Sequence, residues 1–195
     1  EEKVDWNNLI LSEDYLNLLD EDPQDVRHCV TEVSAIANNE GLPEGARDKK
    51  VYLTKFPGKT GDPRDNNLCI VRLSEIYLNA AEAGLKIGGE QATKGMEYLN
   101  DVITNRTTNT AMKVNAAADF TLERILKERR KELVGEGLAV YDYTRNKLPV
   151  ERKGRWHLTS LDTSGAYTIQ PNDSRLAIPI PQTEIDANPN LVQNP

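Results

Sequence analysis

Two small groups of residues have types and spacing that could do chemistry, and the first is a pair of carboxylates. Glu132 and Glu136 are four residues apart, so on a helix they lie about one turn from each other. Glycoside hydrolysis uses two such carboxyl groups. Carboxylates on one helix are far more often solvated or paired with arginine, and no loop-borne nucleophile or base motif accompanies this pair. We therefore predict no catalytic residues and no enzyme activity.

The second group is His28 with Cys29, which raises the question of a metal site. Further ligands are needed, but the only other histidine is His157, and neither CxxC nor HxxxH spacing occurs. The two cysteines, Cys29 and Cys69, permit one disulfide without requiring it. We predict no metal and no cofactor, and either two ordinary thiols or one disulfide bridge.

Composition and charge narrow the class of protein. The chain has 195 residues, of which 38% are hydrophobic and 28% charged, as in a single globular domain. Its formal net charge of -7 repels phosphate backbones, and its basic residues are scattered, so we expect no nucleic-acid partner. No apolar run approaches the length that a bilayer crossing needs.

The spacing of apolar and small residues predicts a mainly helical fold with a tetratricopeptide-like helical hairpin. One apolar stripe begins at Arg72, and a second follows the break at Gly88-Gly89. So short a connection makes the two helices antiparallel. Small residues on the first helix would let the second pack closely against it, namely Ala80, Ala81 and Gly84. One hairpin buries too little by itself, because such units bury their faces by stacking on neighbours.

A long third helix is predicted from its cap at Thr121 to about Lys147, packed alongside the hairpin. Gly135 and Gly137 lie inside its apolar stripe, where each glycine costs helix stability. They indicate a kink or a close backbone approach.

Irregular segments with minor β-hairpin content surround the helices. Ser12 is a suitable cap for a short helix, and Val51–Phe56 alternates as a strand that the 29–36 segment could pair with. We predict one domain over 1–195. Its parts are an irregular lead-in (1–71), a helical core (72–148) and a loop with a C-terminal return (149–195).

Three segments in order carry a family resemblance. They are RLSEIYLNAAEA from Arg72, ERRKEL from Glu128 followed by EG and YDYTR, and IPIP from Ile178 followed by EI, NP and QNP. Together they resemble the C-terminal part of the SusD/RagB family, and Asp25, Arg27 and Lys55-Phe56 resemble it more weakly. Gly135 differs from the family, in which an aromatic residue usually precedes the Glu-Gly pair.

The resemblance implies a fragment of a longer outer-membrane protein that binds glycans without catalysis. Such a protein lies on the extracellular face of the outer membrane and delivers oligosaccharides to a TonB-dependent SusC-like porin. Its membrane contact would come only through an N-terminal lipid anchor, which is absent from this sequence. We expect the charged signature to be architectural, with four residues paired to neighbouring helices: Arg129, Arg130, Glu132 and Glu136.

No ligand-binding residue follows from the family motifs, so the binding residues are predicted from side-chain chemistry. Glycan sites use aromatic faces against sugar rings. The best candidates are Trp156, His157 and Tyr167 in the irregular region after the third helix. Trp156 could instead pack over the helical core, since tryptophan is usually largely buried. The alternative function is a helical-repeat protein-protein adaptor without a glycan ligand, and a glycoside-active enzyme is the third.

Overall fold

The structure, a computed structural model, describes residues 11–33, 51–60, 65, 67, 69–152 and 168–194. It divides into two compact units, Glu1–Gly137 and Leu138–Pro195. The division lies inside the predicted helical core, 72–148, and each unit is considered by itself.

Two helices, α2 (Leu73–Ile87) and α3 (Gly89–Thr104), form the hairpin of the first unit. Gly88 alone separates them. Its φ is 81°, a backbone conformation that residues with a side chain rarely adopt. The helices touch at two glycines, because a Cβ on Gly84 would lie 3.0 Å from the Gly95 Cα and 2.3 Å from the Gln91 carbonyl oxygen. The predicted close antiparallel pair is confirmed.

Helix α4 (Leu122–Glu132) completes the core of the first unit by packing against α2 and α3. The Thr121 hydroxyl accepts a hydrogen bond of 3.2 Å from the Arg124 backbone N–H, which confirms the predicted cap. The main core cluster joins α2, α3, α4 and the segment between α3 and α4: Leu78, Ala81, Leu99, Val102, Ile103, Val114, Phe120 and Ile125.

The mainly helical class is confirmed, but the structure corrects the continuous third helix. Helix α4 ends at Glu132, and a separate helix, α5 (Ala139–Arg145), begins the second unit. Gly135 and Gly137 have φ values of 78° and 75°. A Cβ on Gly135 would lie 2.5 Å from Leu53 Cδ2, so the predicted close approach occurs there.

The lead-in of the first unit contains a helix and a small sheet. Helix α1 (Glu13–Asp20) is capped by the Ser12 hydroxyl, which accepts from the Tyr15 N–H at 3.2 Å, as predicted. Strands β1 (Thr31–Val33) and β2 (Val51–Leu53) pair antiparallel, also as predicted. A second apolar cluster packs α1 against β2 and the turn after α4: Leu11, Tyr15 and Leu19 with Leu16, Val51, Leu53 and Val134.

The second unit contains α5, a two-stranded sheet and a short helix. Strands β3 (Val150–Glu151) and β4 (Thr168–Ile169) pair antiparallel, and α6 (Gln182–Ala187) follows. The last residues of the chain fold back on the IPIP segment that begins at Ile178. Asn194 Nδ2 donates a hydrogen bond of 2.6 Å to the Ile178 carbonyl. No helix among the described residues has the length and apolar character to cross a membrane.

Candidate functional site

Glu132, the last residue of α4, lies at the centre of a buried group of charges. Arg106 contacts both of its oxygens, with Nε 2.8 Å from Oε2 and Nη2 2.8 Å from Oε1. Arg27 Nη1 lies 3.2 Å from Oε2, and Arg72 Nη1 donates to Oε1. The Glu132 side chain is 2% exposed. Three guanidinium groups therefore share one buried carboxylate.

The three arginines come from the ends of different elements. Arg27 lies in a 3-10 turn before β1, Arg72 is the N-cap residue of α2, and Arg106 follows the end of α3. Each therefore fixes one element relative to the C-terminus of α4.

The sequence predicts that Glu132 and Glu136 lie one turn apart on the same helix. The structure corrects this, because α4 ends at Glu132 and Glu136 lies in the turn that follows. Arg72 Nε donates to both Glu136 oxygens, at 3.0 Å and 3.2 Å, and the Lys55 ammonium donates to Oε1. Lys55 Nζ also donates to the backbone carbonyls of Glu132 at 2.8 Å and Val134 at 3.2 Å. Arg72 thus bridges the two carboxylates.

A more deeply buried part of the same network surrounds Arg27. Its Nε lies 2.8 Å from Asp25 Oδ1 and its Nη2 lies 2.6 Å from Asp25 Oδ2, a two-point contact. Glu128 Oε1 is 2.8 Å from the same Nη2, and Lys131 Nζ lies within 3.8 Å of both acids. We call the whole group the charge cluster: Asp25, Lys131, Arg27, Glu128, Lys55, Arg72, Arg106, Glu132 and Glu136.

The cations keep the carboxyl groups of the charge cluster ionised. Burial alone would raise the pKa of Glu132, but hydrogen bonds and charges from Arg106 and Arg72 outweigh it and hold that pKa well below its usual range. Burial likewise opposes ionisation of Asp25, and the hydrogen bonds from Arg27 lower the Asp25 pKa despite it. Arg72 and Lys55 lower the pKa of Glu136 in the same way.

This arrangement is unsuited to acid-base catalysis. A glycosidase acid needs a raised pKa, so that it still carries a proton to give at the working pH. Glu132 and Glu136 instead have lowered pKa values and cations fixed on their oxygens. The geometry supports the architectural role that the charged signature suggests. Its other arginines also pair with neighbouring helices, Arg129 with Asn79 on α2 and Arg130 with Asp14 on α1.

An open groove of about 450 Å³ lies beside the charge cluster. It runs between the beginning of α2 and the end of α3, and two of its lining residues, Arg72 and Arg106, also pair with Glu132. Its lining combines apolar and polar side chains: Arg72, Leu73, Ser74, Tyr77, Asp101, Val102, Asn105 and Arg106. The rings of Tyr77 and Tyr98 pack edge to face, with the ring centres 5.4 Å apart.

Comparison with known proteins identifies the family. The SusD family model matches residues 21–195, which is most of the chain. This chain belongs to the SusD family. A crystal structure of a SusD superfamily protein from Bacteroides thetaiotaomicron is 64% identical, with a TM-score of 0.90, and the match covers 100% of this chain and 42% of that one.

Two further SusD-like structures come from Bacteroides vulgatus. A SusD superfamily protein is 34% identical, with a TM-score of 0.77, and a protein whose name proposes sugar binding is 31% identical, with a TM-score of 0.74. Each match covers 95% of this chain and 39% of the other. The chain therefore spans less than half the length of these solved relatives. No curated protein matches it.

The residues predicted to bind glycan, Trp156, His157 and Tyr167, lie outside the described residues. The other candidates from the sequence are placed by the structure. His28 Nε2 lies 3.3 Å from the Asp22 carbonyl oxygen, and Cys29 and Cys69 are both exposed free thiols, so no bridge joins them. Within the described ranges, no group of three or more His, Cys, Asp or Glu side chains could hold a metal ion.

Sequence reasoning missed most of the charge cluster. It identified Glu132 and Glu136, but Asp25, Arg27 and Lys55 appeared only as weak points of resemblance to the SusD family. One signal could have found them. Glu128 and Glu132 are one turn apart on α4, and if that face is buried their charges need cationic partners, some of which can come from other elements.

Proposed function

We propose that the SusD-family protein to which this chain belongs binds glycans at the extracellular face of the outer membrane, without catalysis. The observation that carries this proposal is the family match over residues 21–195. The name of the 31% identical relative supports sugar as the ligand. The ion-paired state of Glu132 and Glu136 supports binding without hydrolysis. In this proposal the protein delivers oligosaccharides to a TonB-dependent SusC-like porin and is held at the membrane by an N-terminal lipid anchor.

Trp156, His157 and Tyr167 are the proposed contacts to the sugar. Their segment runs between β3 and β4, whose antiparallel pairing of Glu151 with Thr168 holds its two ends together. Aromatic contacts contribute on the order of 1 kcal/mol each. Against the cost of ordering an oligosaccharide, one or two of them leave millimolar affinity at best, on the order of 1 mM or weaker, for the isolated chain.

Calorimetric titration with oligosaccharides tests the proposal, with immobilised polysaccharide as a second assay. We expect Trp156→Ala to remove most of the binding signal of the chain. Tyr141→Ala is the matched control, since Tyr141 is another aromatic residue of the second unit and is 65% exposed. Micromolar binding that survives Trp156→Ala would place the site elsewhere. Release of reducing sugar would contradict the non-catalytic part, and a full-length protein that retains no glycan would overturn the function.

A further inference from the structure

A cavity of about 140 Å³ lies within the charge cluster. Six of the eight residues that line it are charged, and the other two are valines. Glu132 is the acid among them, and five are basic: Arg27, Lys55, Arg72, Arg106 and Lys131. A space of this size can hold a small ion together with water, since one water molecule takes about 30 Å³ of the liquid. The wall of the cavity is therefore strongly cationic.

The charge cluster as a whole has one more cation than it has acids. Its five basic residues face four carboxylates: Asp25, Glu128, Glu132 and Glu136. Two further charges adjoin the cluster and cancel each other, because Arg124 pairs with Glu128 at 3.4 Å and Asp22 interacts with Lys131. Buried charges in folded proteins are compensated. In the part of the chain that the structure describes, no second acid lines the cavity to balance the remaining positive charge.

Lys131 carries the least compensated of these charges. Its side chain is 4% exposed, and its ammonium lies 3.8 Å from Asp25 and 3.7 Å from Glu128. Both distances are too long for a hydrogen bond, and Arg27 already binds these two acids at 2.6 Å and 2.8 Å. Lys55, by contrast, donates to three acceptors. Among the described residues, the three N–H donors of the Lys131 ammonium therefore have no acceptor within hydrogen-bond distance.

Two arginines that line the cavity also have unused N–H groups. A guanidinium group carries five such donors. Arg27 uses four of them, on three carboxylates. Arg106 uses three, two on Glu132 and one on the Asn105 carbonyl. Because both side chains line the cavity with Lys131, one acceptor placed there can receive hydrogen bonds from all three cations.

Charge and size together select a small monovalent anion. One surplus positive charge is balanced by one negative charge, whereas a divalent anion would leave uncompensated negative charge in a buried place. Water alone would satisfy the N–H donors but would leave the surplus charge. Chloride combines a single charge with a small volume, and it accepts hydrogen bonds from several directions at once.

We propose that this cavity is an anion site that binds chloride, held by Lys131 together with Arg27 and Arg106. The first test is anomalous diffraction from crystals of the chain grown with sodium bromide in place of sodium chloride. Bromide has the charge of chloride and nearly its size, and its own anomalous scattering locates it. We expect an anomalous peak inside the cavity, in contact with Lys131 Nζ. A cavity that contains only water would overturn the proposal.

The second test is thermal unfolding, followed by circular dichroism, in sodium chloride and in sodium glutamate at equal ionic strength. Glutamate has the same net charge, but it is larger and carries an ammonium group that the cationic wall would repel. An ion that binds only the folded state stabilises it. At a chloride concentration about tenfold above the dissociation constant, we expect the melting temperature to be roughly 3–6 °C higher in chloride.

Two methionine variants on α4 identify the source of this difference. Lys131→Met removes the surplus charge while keeping a long side chain, so the melting temperature should become equal in the two salts. Lys127→Met is the matched control, because the Lys127 side chain is 43% exposed and lies on the same helix. It should retain the full chloride effect.

An equal chloride effect in the parent and in Lys131→Met would overturn the proposal. A bromide peak without any chloride effect on the melting temperature of the parent would indicate an adventitious ion only, and would also overturn it. If Lys131→Met does not fold, the bromide peak and the chloride effect in the parent still decide the question. None of these results depends on glycan binding.

Discussion

Replacing Glu132 with glutamine removes one negative charge from the point where three guanidinium groups meet. The variant Glu132→Gln keeps the size and shape of the side chain, so the effect measured is chiefly electrostatic. Arg27 would keep Asp25 and Glu128 as partners, and Arg72 would keep Glu136. Arg106 has Glu132 as its charged partner in the cluster and would be left with uncompensated charge.

The magnitude follows from the burial of the partners. The Glu132 side chain is 2% exposed, and those of Arg27, Arg72 and Arg106 are 9%, 23% and 29% exposed. Removing one member of a buried ion pair costs about 3–5 kcal/mol. Arg72 and Arg106 are partly exposed, so solvent screens part of the charge left behind. We therefore expect the free energy of unfolding to fall by about 3 kcal/mol, the lower end of that range. For a chain of this size that lowers the melting temperature by roughly 6–12 °C.

Thermal and urea unfolding followed by circular dichroism measure this loss, with Glu123→Gln as the matched control. Glu123 lies on the same helix and its side chain is 82% exposed, so its substitution should change stability by less than about 0.5 kcal/mol. Since the folded-state pKa of Glu132 is lowered, its stabilisation is present above the unfolded pKa near 4.5 and is lost as the pH falls below it. The gap between parent and Glu132→Gln should therefore narrow in acid. A loss below about 1 kcal/mol at pH 7 would refute the assignment of Glu132 as the centre of the cluster.

Three further predictions test the core, a buried phenol and the absence of catalysis. Gly84→Ala should destabilise the chain by about 1–3 kcal/mol in urea unfolding, because its Cβ would meet the Gln91 carbonyl oxygen at 2.3 Å; an unchanged midpoint would contradict the close helix contact. Burial raises the pKa of Tyr15 to about 12, so stability should fall as the pH rises from 10.0 towards 12, and Tyr15→Phe should flatten that fall. No glycan should be hydrolysed, and turnover lost specifically in a folded Glu136→Gln protein would contradict this.

The parts of the fold that follow from local physics could be predicted from the sequence. Helices α2 and α3 show apolar spacing along their whole length, and Gly88 marks the turn between them. Ser12 and Thr121 act as caps within three residues of their own helix, so no distant contact is needed to identify them. The pairing of β1 with β2 was also predictable, because few other segments of the lead-in have strand character.

The end of α4 could not be predicted in the same way, because its cause is distant in sequence. The apolar spacing continues past Glu132 and favours one long helix. At Gly135, however, the side chain of Leu53 from β2 fills the space where a Cβ would lie, and Phe56 is next to it. The departure from the SusD family at this position is consistent with that contact. Residues that belong to another element leave no room for a side chain here.

Most of the charge cluster beyond Glu132 and Glu136 could not be predicted from the sequence, because it contradicts the usual link between charge and exposure. Glu128 lies on a very polar helix, where a charged residue is usually exposed, yet both Glu128 and Glu132 are buried. Their partners come from residues far apart in the chain, so only the folded structure brings them together.

The charge cluster lies at the C-terminal end of α4, where its cations also satisfy the backbone. The last carbonyl groups of a helix have no partners within it, and the helix dipole makes that end attractive to cations. The Lys55 ammonium donates to the carbonyls of Glu132 and Val134, and Arg72 Nη2 also donates to the Glu132 carbonyl. The same two cations bind the Glu136 carboxylate. One set of side chains therefore caps α4, compensates two acids and fixes Arg72 at the start of α2.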